Sequence, residues 1–355
     1  MSEREQEIID FLNHAGWGAA ARTALPDDAG YRSYQRLTGA NGSAMLMNAP
    51  PGGDQIRSPQ AAAYNRVAHL ATDCRPFVAV ANYLRGLGMS APEILAADVP
   101  RGLLLLEDLG DDLFARVIAE GADETGLYSA AVDVLLALHA APLPGRLAAG
   151  DGGEYPLSSY DAGAQEAEVL LLSEWYAPAV TGRALDDAAR DEYVAQWRHY
   201  FALTQPARPV LVLRDYHAQN LFWLPRRPGL ARAGLIDFQD ALLGSPAYDL
   251  VSLLEDARRD VAPQLAAQML NRYCTQAKAM DRMFDEAAFR TAFAVAGAQR
   301  NCKILGIFAR LAKRDNKPAY LELIPRVRAY LRQDLQHPEF APLNSWFAKH
   351  LPLLD

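Results

Sequence analysis

Apolar positions recur at helical spacing near the amino end, where Ile8, Ile9, Phe11 and Leu12 follow Ser2 and run up to Gly16. A serine before and a glycine after such a run predict a capped amphipathic helix. The pattern then shortens to strand-like runs. Residues 34–37 and 44–47 flank Gly39, Ala40, Asn41 and Gly42, and an Asn-Gly pair between apolar runs predicts a hairpin. Residues 59–70 and 76–88 read as helices, the second with Phe77, Val80, Tyr83, Leu84 and Leu87 on one face. Residues 94–97 and 103–107, joined across Pro100, Arg101 and Gly102, predict a second hairpin.

Past the run EDLGDD at 107–112 the period changes. Residues 124–140 carry Ala131, Val132, Leu135 and Leu138 on one helical face, and 141–163 is a loop rich in Gly, Pro and Ser. Helices are expected at 164–178 and 185–203, then strand-like runs at 210–213, 221–224 and 234–236, and almost continuous helix from Ala247 onward. No internal repeat or low-complexity tract interrupts this. The pattern predicts an α+β protein of two lobes: a small mixed lobe with an antiparallel sheet over residues 1–108, and a larger, mainly helical lobe over 109–355.

Composition narrows the partners. The 355 residues carry a net charge of −8, which disfavours nucleic acid, since phosphate backbones need a basic face. Cys74, Cys274 and Cys302 are scattered and odd in number, so neither a disulfide framework nor a zinc site is expected, and the compartment is reducing. The first residues form a charged amphipathic helix, not a signal segment. No apolar run reaches roughly 18 residues, the length a membrane span needs. A cytoplasmic protein with no membrane association and no obligate protein partner is expected.

One segment does not fit a surface turn. In LVLRDYHAQNLFWLP, residues 211–225, two apolar runs flank Arg214, Asp215, His217, Gln219 and Asn220. Asp215 and Asn220 stand five apart on the connecting loop, and Asp237 follows in GLIDFQDA at the end of another apolar strand. One carboxylate and one carboxamide suit Mg²⁺, which prefers hard oxygen ligands and retains phosphate and water in its shell. The remaining carboxylate can take a proton from a hydroxyl nucleophile. His217 is expected to brace the loop through backbone or Asp237, Arg214 to neutralise a carboxylate or touch substrate, Asp240 to organise its loop, and Asp249 to cap the helix region that follows it.

RDYHAQN followed by IDFQDA resembles the D-x-x-x-x-N and I-D-F/W patterns of the aminoglycoside phosphotransferase and choline kinase-like superfamily, relatives of protein kinases. LLLEDLGDD resembles its interlobe hinge, and GSPAYDL its element after the metal loop. The resemblance implies a two-lobed kinase-like fold, ATP and Mg²⁺ as cofactors, Asp215 as catalytic base, and Asn220 and Asp237 as metal ligands. It further implies nucleotide contacts from Gly30, Arg32 and Ser33 of a phosphate loop and from Glu107 and Leu109 at the hinge.

GYRSYQRL, SAMLMNAPP, EWY and AQRNCKILGIFARL are similar to the bacterial anomeric amino-sugar kinases, which phosphorylate the 1-hydroxyl of N-acetylmuramate and N-acetylglucosamine in cell-wall recycling. This implies a small sugar as acceptor, met by Asp215, His217, Glu168, Glu174, Trp175 and Arg300, with one of Gln299, Arg300 and Lys303, grouped on one helix face, holding a lactyl carboxylate. Three positions depart from the wider pattern: Leu213 replaces the histidine of H-x-D, Met47 replaces the strand lysine, and Gly30 is the lone glycine of the phosphate loop. Arg32 is the candidate to restore the missing cation. The competing readings are a kinase of an aminoglycoside or choline-like alcohol, and an inactive nucleotide-binding scaffold.

Overall fold

A computed structural model describes residues 2–26, 32–52, 59–150 and 153–352. In chain order it runs through α1 (Glu3–His14), β1 (Ala21–Ala24), β2 (Ser33–Gly39), β3 (Gly42–Asn48), α2 (Pro59–Val67) and α3 (Arg75–Gly86). Next come β4 (Ile94–Asp98), β5 (Leu103–Glu107), α4 (Phe114–Ala119), α5 (Glu124–Ala140), β6 (Arg146–Ala148) and β7 (Glu154–Pro156). Then follow α6 (Ala162–Leu171), α7 (Ala177–Thr181), α8 (Asp187–Leu203), β8 (Val210–Val212), β9 (Leu221–Trp223), β10 (Ala233–Leu235) and β11 (Leu242–Gly244). The chain finishes with α9 (Ala247–Leu254), α10 (Pro263–Met280), α11 (Glu286–Arg314), α12 (Ile324–Asp334) and α13 (Ala341–His350).

Two compact units emerge. The first gathers Met1–Asp123, Ala141–Leu157 and Gln219–Ala241. Its antiparallel sheet has the order β1-β2-β3-β5-β4. The expected hairpin turn is present: Gly39 pairs with Gly42, and Gly42 sits at φ 94°, a conformation that glycine adopts without steric cost. Ser2 caps α1 by accepting the Glu5 N–H at 3.2 Å. Ile8, Phe11 and Leu12 then bury against Leu37, Ala44, Leu46, Leu103 and Leu105 on one sheet face, each large side chain contributing about 1.5–3 kcal/mol. Strand alternation turns Met45 and Met47 to the opposite face, across from Arg36 and Tyr34 of β2 and Leu106 and Leu104 of β5.

The hairpin β9–β10 folds with this unit, so the division is not the single cut after residue 108 that the period change suggests. Backbone pairing across long sequence separations draws it in. Trp223 N–H reaches Asp112 O at 2.7 Å and Leu235 N–H reaches Ser90 O at 2.8 Å. Asp240 organises its loop as expected, accepting the Ala71 N–H at 2.6 Å, and Phe238 stacks on Phe77 at 4.9 Å. The 141–163 loop is also more ordered than its composition suggests, since β6 and β7 pair within it.

The second unit holds Glu124–Ala140, Ser158–Ala218 and Leu242–Asp355. Strand β8 pairs with β11, Val212 opposite Leu242, over a core of Tyr160, Ala164, Val210, Val212 and Tyr248. Helix α11 is the spine. It meets α6 at Gly306, where a Cβ would lie 2.3 Å from the Leu171 carbonyl carbon. Only glycine permits that contact. The expected 164–178 helix arrives as α6, a π-helical turn over Leu172–Tyr176 and the short α7. Among the described residues no helix is long and apolar enough to cross a membrane.

Candidate active site

The second sheet face of the first unit borders a cavity of about 330 Å³. Met45, Leu106, Leu109, Phe222 and Ile236 give it apolar walls, and Glu107, Asn220 and Asp237 also line it. Arg36 secures the loop after β5, with Nε 2.9 Å from Asp108 and a terminal nitrogen 2.7 Å from Asp111. Glu107 commits its N–H to Glu93 O at 2.8 Å, and its carboxylate pairs with Arg227. Glu107 and Leu109 both line this cavity. Met47 is fully buried on the face it shares with Met45. Ser33 Oγ accepts from Asn48 at 3.2 Å. Gly30 lies outside the described residues.

Asp237 gathers polar partners. Its Oδ1 accepts from Gln239 at 2.9 Å and lies 3.3 Å from an Arg32 guanidinium nitrogen, and its Oδ2 accepts from Asn220 Nδ2 at 3.3 Å. The residue sits at φ 62°, a left-handed conformation that costs on the order of 1–3 kcal/mol and tends to mark functional positions. The donor set is hard oxygen, one carboxylate beside one carboxamide, and it fits Mg²⁺, an ion that leaves much of its shell to phosphate and water. Arg32 thus stands beside the metal-ligand candidate Asp237.

Asp215 belongs to the second unit. The preceding Arg214 is held at φ 71° because Asp249 accepts the N–H groups of Leu213 at 2.7 Å and Arg214 at 2.9 Å. Asp249 is therefore a brace for the turn ahead of Asp215 and not a helix cap. Burial pushes its carboxyl up to about 7, against those two N–H bonds. The Arg214 side chain, 2% exposed, points inward and pairs with Glu168.

Asp215 lines a second cavity, about 110 Å³, with His217, Asp256, Arg258, Arg300 and Lys303. Burial alone would raise the Asp215 carboxyl, but Lys303, then His217, Arg214 and Arg300, outweigh it and hold the group below its ordinary value. His217 moves the other way: burial lowers it to about 4. Its Nε2 lies 3.0 Å from Arg258, which can only donate, so the neutral ring accepts there and braces the loop through Arg258. Arg300, 4% exposed, donates to Glu255 O at 3.3 Å.

Glu168, an acceptor contact in what the resemblance implied, is not among the residues lining the Asp215 cavity. It is fully buried, hydrogen-bonded by Tyr160 and by Gln299 at 2.8 Å, and paired with Arg214 and with Lys303 at 3.0 Å. Two cations lower its carboxyl to about 2 in spite of burial. It fixes Lys303, whose Nζ also reaches the Tyr248 hydroxyl at 3.1 Å. Glu174 and Trp175 stand on the π-helical turn, and neither is among the residues lining the Asp215 cavity. Lys303, grouped with Gln299 and Arg300 as a possible carboxylate contact, lines the cavity, and Asp256 and Arg258 are the charged cavity residues that sequence reading left unassigned. Their signal was the charge-dense EDARRD at 255–260.

Residues 22–289 match the Phosphotransferase enzyme family. The chain is 43% identical to an N-acetylmuramate/N-acetylglucosamine kinase of Caulobacter vibrioides, over 99% of this chain and 98% of that protein. It is 35% identical to a protein of the same name in Pseudomonas putida, over 97% and 94%. Two solved structures share the fold: a choline/ethanolamine kinase family protein from Mesorhizobium loti (TM-score 0.56, 15% identity, 97% and 98% covered) and an ADP-bound aminoglycoside phosphotransferase (TM-score 0.57, 13% identity, 96% and 99% covered). A family match across most of the chain, near-full-length relatives and a shared two-lobed fold lead to one assignment: this chain belongs to the phosphotransferase enzyme family.

Proposed function

We propose that the protein is an ATP-dependent sugar kinase that phosphorylates the anomeric 1-hydroxyl of N-acetylmuramate and N-acetylglucosamine. The observation that carries this reading is the cavity around Asp215. It sets three cations, Arg258, Arg300 and Lys303, against two carboxylates, Asp215 and Asp256, and a neutral His217. Such a surround repels the cationic acceptors of the nearest rival reading and suits a sugar that carries a carboxylate. The names of the near-full-length relatives point the same way. At about 110 Å³ the cavity is smaller than the roughly 300–1,000 Å³ of whole-ligand pockets, so it seats one part of the acceptor.

In this reading Asp215 accepts the proton of the 1-hydroxyl as that oxygen bonds to the γ-phosphorus. The bond from phosphorus to the oxygen shared with the β-phosphate breaks, and ADP leaves. The anomeric hydroxyl is more acidic than an ordinary alcohol, so a carboxylate held below its usual pKa is base enough. The apolar cavity walled by Met45, Leu106 and Phe222 suits a purine. Asn220 and Asp237 would hold Mg²⁺, which when bound supplies compensation for charge on the phosphates. Arg32 beside Asp237 supplies a further cation in place of the lysine that Met47 replaces. A cytoplasmic setting supplies ATP, and three buried free thiols, Cys74, Cys274 and Cys302, suit a reducing compartment.

Arg300 tests the acceptor. A guanidinium pairs bidentately with a carboxylate, and only N-acetylmuramate carries one. Arg300→Ala is expected to lower the ratio of N-acetylmuramate to N-acetylglucosamine turnover by about tenfold, the worth of one charged hydrogen bond. Choline and aminoglycosides in the same panel should remain unphosphorylated. An unaltered ratio removes this role from Arg300, and turnover of the cationic acceptors would favour the rival.

A further inference from the structure

We infer that Asp256 recognises the acceptor, its carboxylate taking a hydrogen bond from a hydroxyl or amide N–H of the sugar. The inference rests on the reading of the Asp215 cavity as the acceptor site. Asp256 is 1% exposed and follows Glu255, the residue that closes α9. Its position is fixed from both sides. Helix α9 also carries Asp249, which braces the Leu213–Arg214 turn ahead of Asp215. On the other side Asp256 Oδ1 accepts the Arg258 N–H at 2.8 Å. One oxygen is thus used to build the turn that directs Arg258 to His217.

The second oxygen has no such duty. Asp256 Oδ2 is buried, and among the described residues no group hydrogen-bonds to it. Buried carboxylate oxygens are nearly always satisfied, because leaving one without a donor is costly. The same side chain lines the cavity that holds Asp215. A carboxylate oxygen accepts only, so its partner must be a donor: phosphate offers none, while an N-acetylated hexosamine offers ring hydroxyls and an amide N–H. Arg300 and Asp256 then divide the work, the arginine selecting for a carboxylate and the aspartate reading the donors common to both sugars.

The test is a cycle between the side chain and single substrate groups, run on the full chain with ATP and Mg²⁺. Wild type and Asp256→Ala are assayed with N-acetylglucosamine and with analogues that each lack one donor: the 3-, 4- and 6-deoxy sugars, and 2-deoxyglucose in place of the acetamido sugar. Asp256→Ala is expected to lower kcat/KM for the parent sugar by about ten- to a hundredfold, mainly through KM, as for loss of a hydrogen bond to a charged group. One analogue should already show that loss with wild type and suffer no further loss in the variant. Equal penalties for every analogue, or no change with the parent sugar, would overturn the inference. Asp256→Asn keeps the side-chain shape and repeats the cycle if the alanine variant does not fold. Should wild type fail to phosphorylate any of these sugars, the acceptor reading itself fails; sugar turnover with an additive cycle removes only Asp256.

Discussion

Asp215→Asn is expected to lower kcat/KM for the acceptor sugar by roughly 10²–10⁴-fold, the range contributed by a positioned general base. The amide keeps the volume of the carboxylate and the tight turn around it, in which Asp215 N–H bonds Leu213 O at 2.9 Å and His217 N–H bonds Asp215 O at 3.1 Å. Only the proton acceptor is lost. The variant should therefore melt close to wild type while sugar-dependent ADP release collapses. An inactive scaffold would be indifferent to this change. The pH profile of wild type carries the same signature. A base active when ionised loses rate as pH falls through its pKa in the free enzyme, and Lys303 chief among the cations draws Asp215 below the ordinary carboxylate value against the effect of burial. The acid limb of kcat/KM should accordingly lie below about pH 4, the ordinary value for an aspartate.

Asp237→Asn should be the next most damaging change. Asparagine tolerates the left-handed backbone that Asp237 adopts at φ 62°, so the substitution tests charge rather than conformation. It removes the anionic partner of Arg32 and the one negative charge of the pair with Asn220, while keeping an oxygen at the position. Turnover is expected to fall at least about a hundredfold, and the Mg²⁺ concentration for half-maximal rate to rise at least about tenfold. Binding gives a readout independent of turnover: the affinity of the variant for ATP should no longer strengthen when Mg²⁺ is added. A variant with unchanged Mg²⁺ dependence would take Asp237 out of the metal site.

Local signals carried much of the fold. Ser2, the Asn41-Gly42 turn and the helical spacing from Phe77 to Leu87 announce elements whose determinants lie within a few residues, and α1, the β2–β3 hairpin and α3 appear where they were expected. Pairings across long separations were not legible. Nothing in the run at 210–213 says that it pairs with Leu242–Gly244 rather than with its neighbour in sequence, because both are short and apolar. For the same reason the hairpin of β9 and β10 joins the first unit through Asp112 and Ser90, groups more than a hundred residues away.

Charge was harder to read than period. Glu168 has the composition of a solvated glutamate and the environment of a core residue, and only Arg214 and Lys303, distant in sequence, make its burial affordable. The carboxylates and carboxamide of Asp215, Asn220 and Asp237 stood out because oxygen ligands between apolar strands have little structural purpose. Asp256 and Arg258 did not, because a charged run between two helices looks the same whether it faces solvent or lines a site.

In the proposed reaction the γ-phosphoryl group of ATP goes to the anomeric oxygen of an amino sugar. A phosphorus NMR spectrum of the purified protein with ATP, Mg²⁺ and N-acetylmuramate tests it in one measurement. The account predicts a new phosphomonoester resonance coupled to the sugar H1 proton, growing in step with ADP. Phosphate appearing on any other oxygen, or ADP and inorganic phosphate alone, would contradict it.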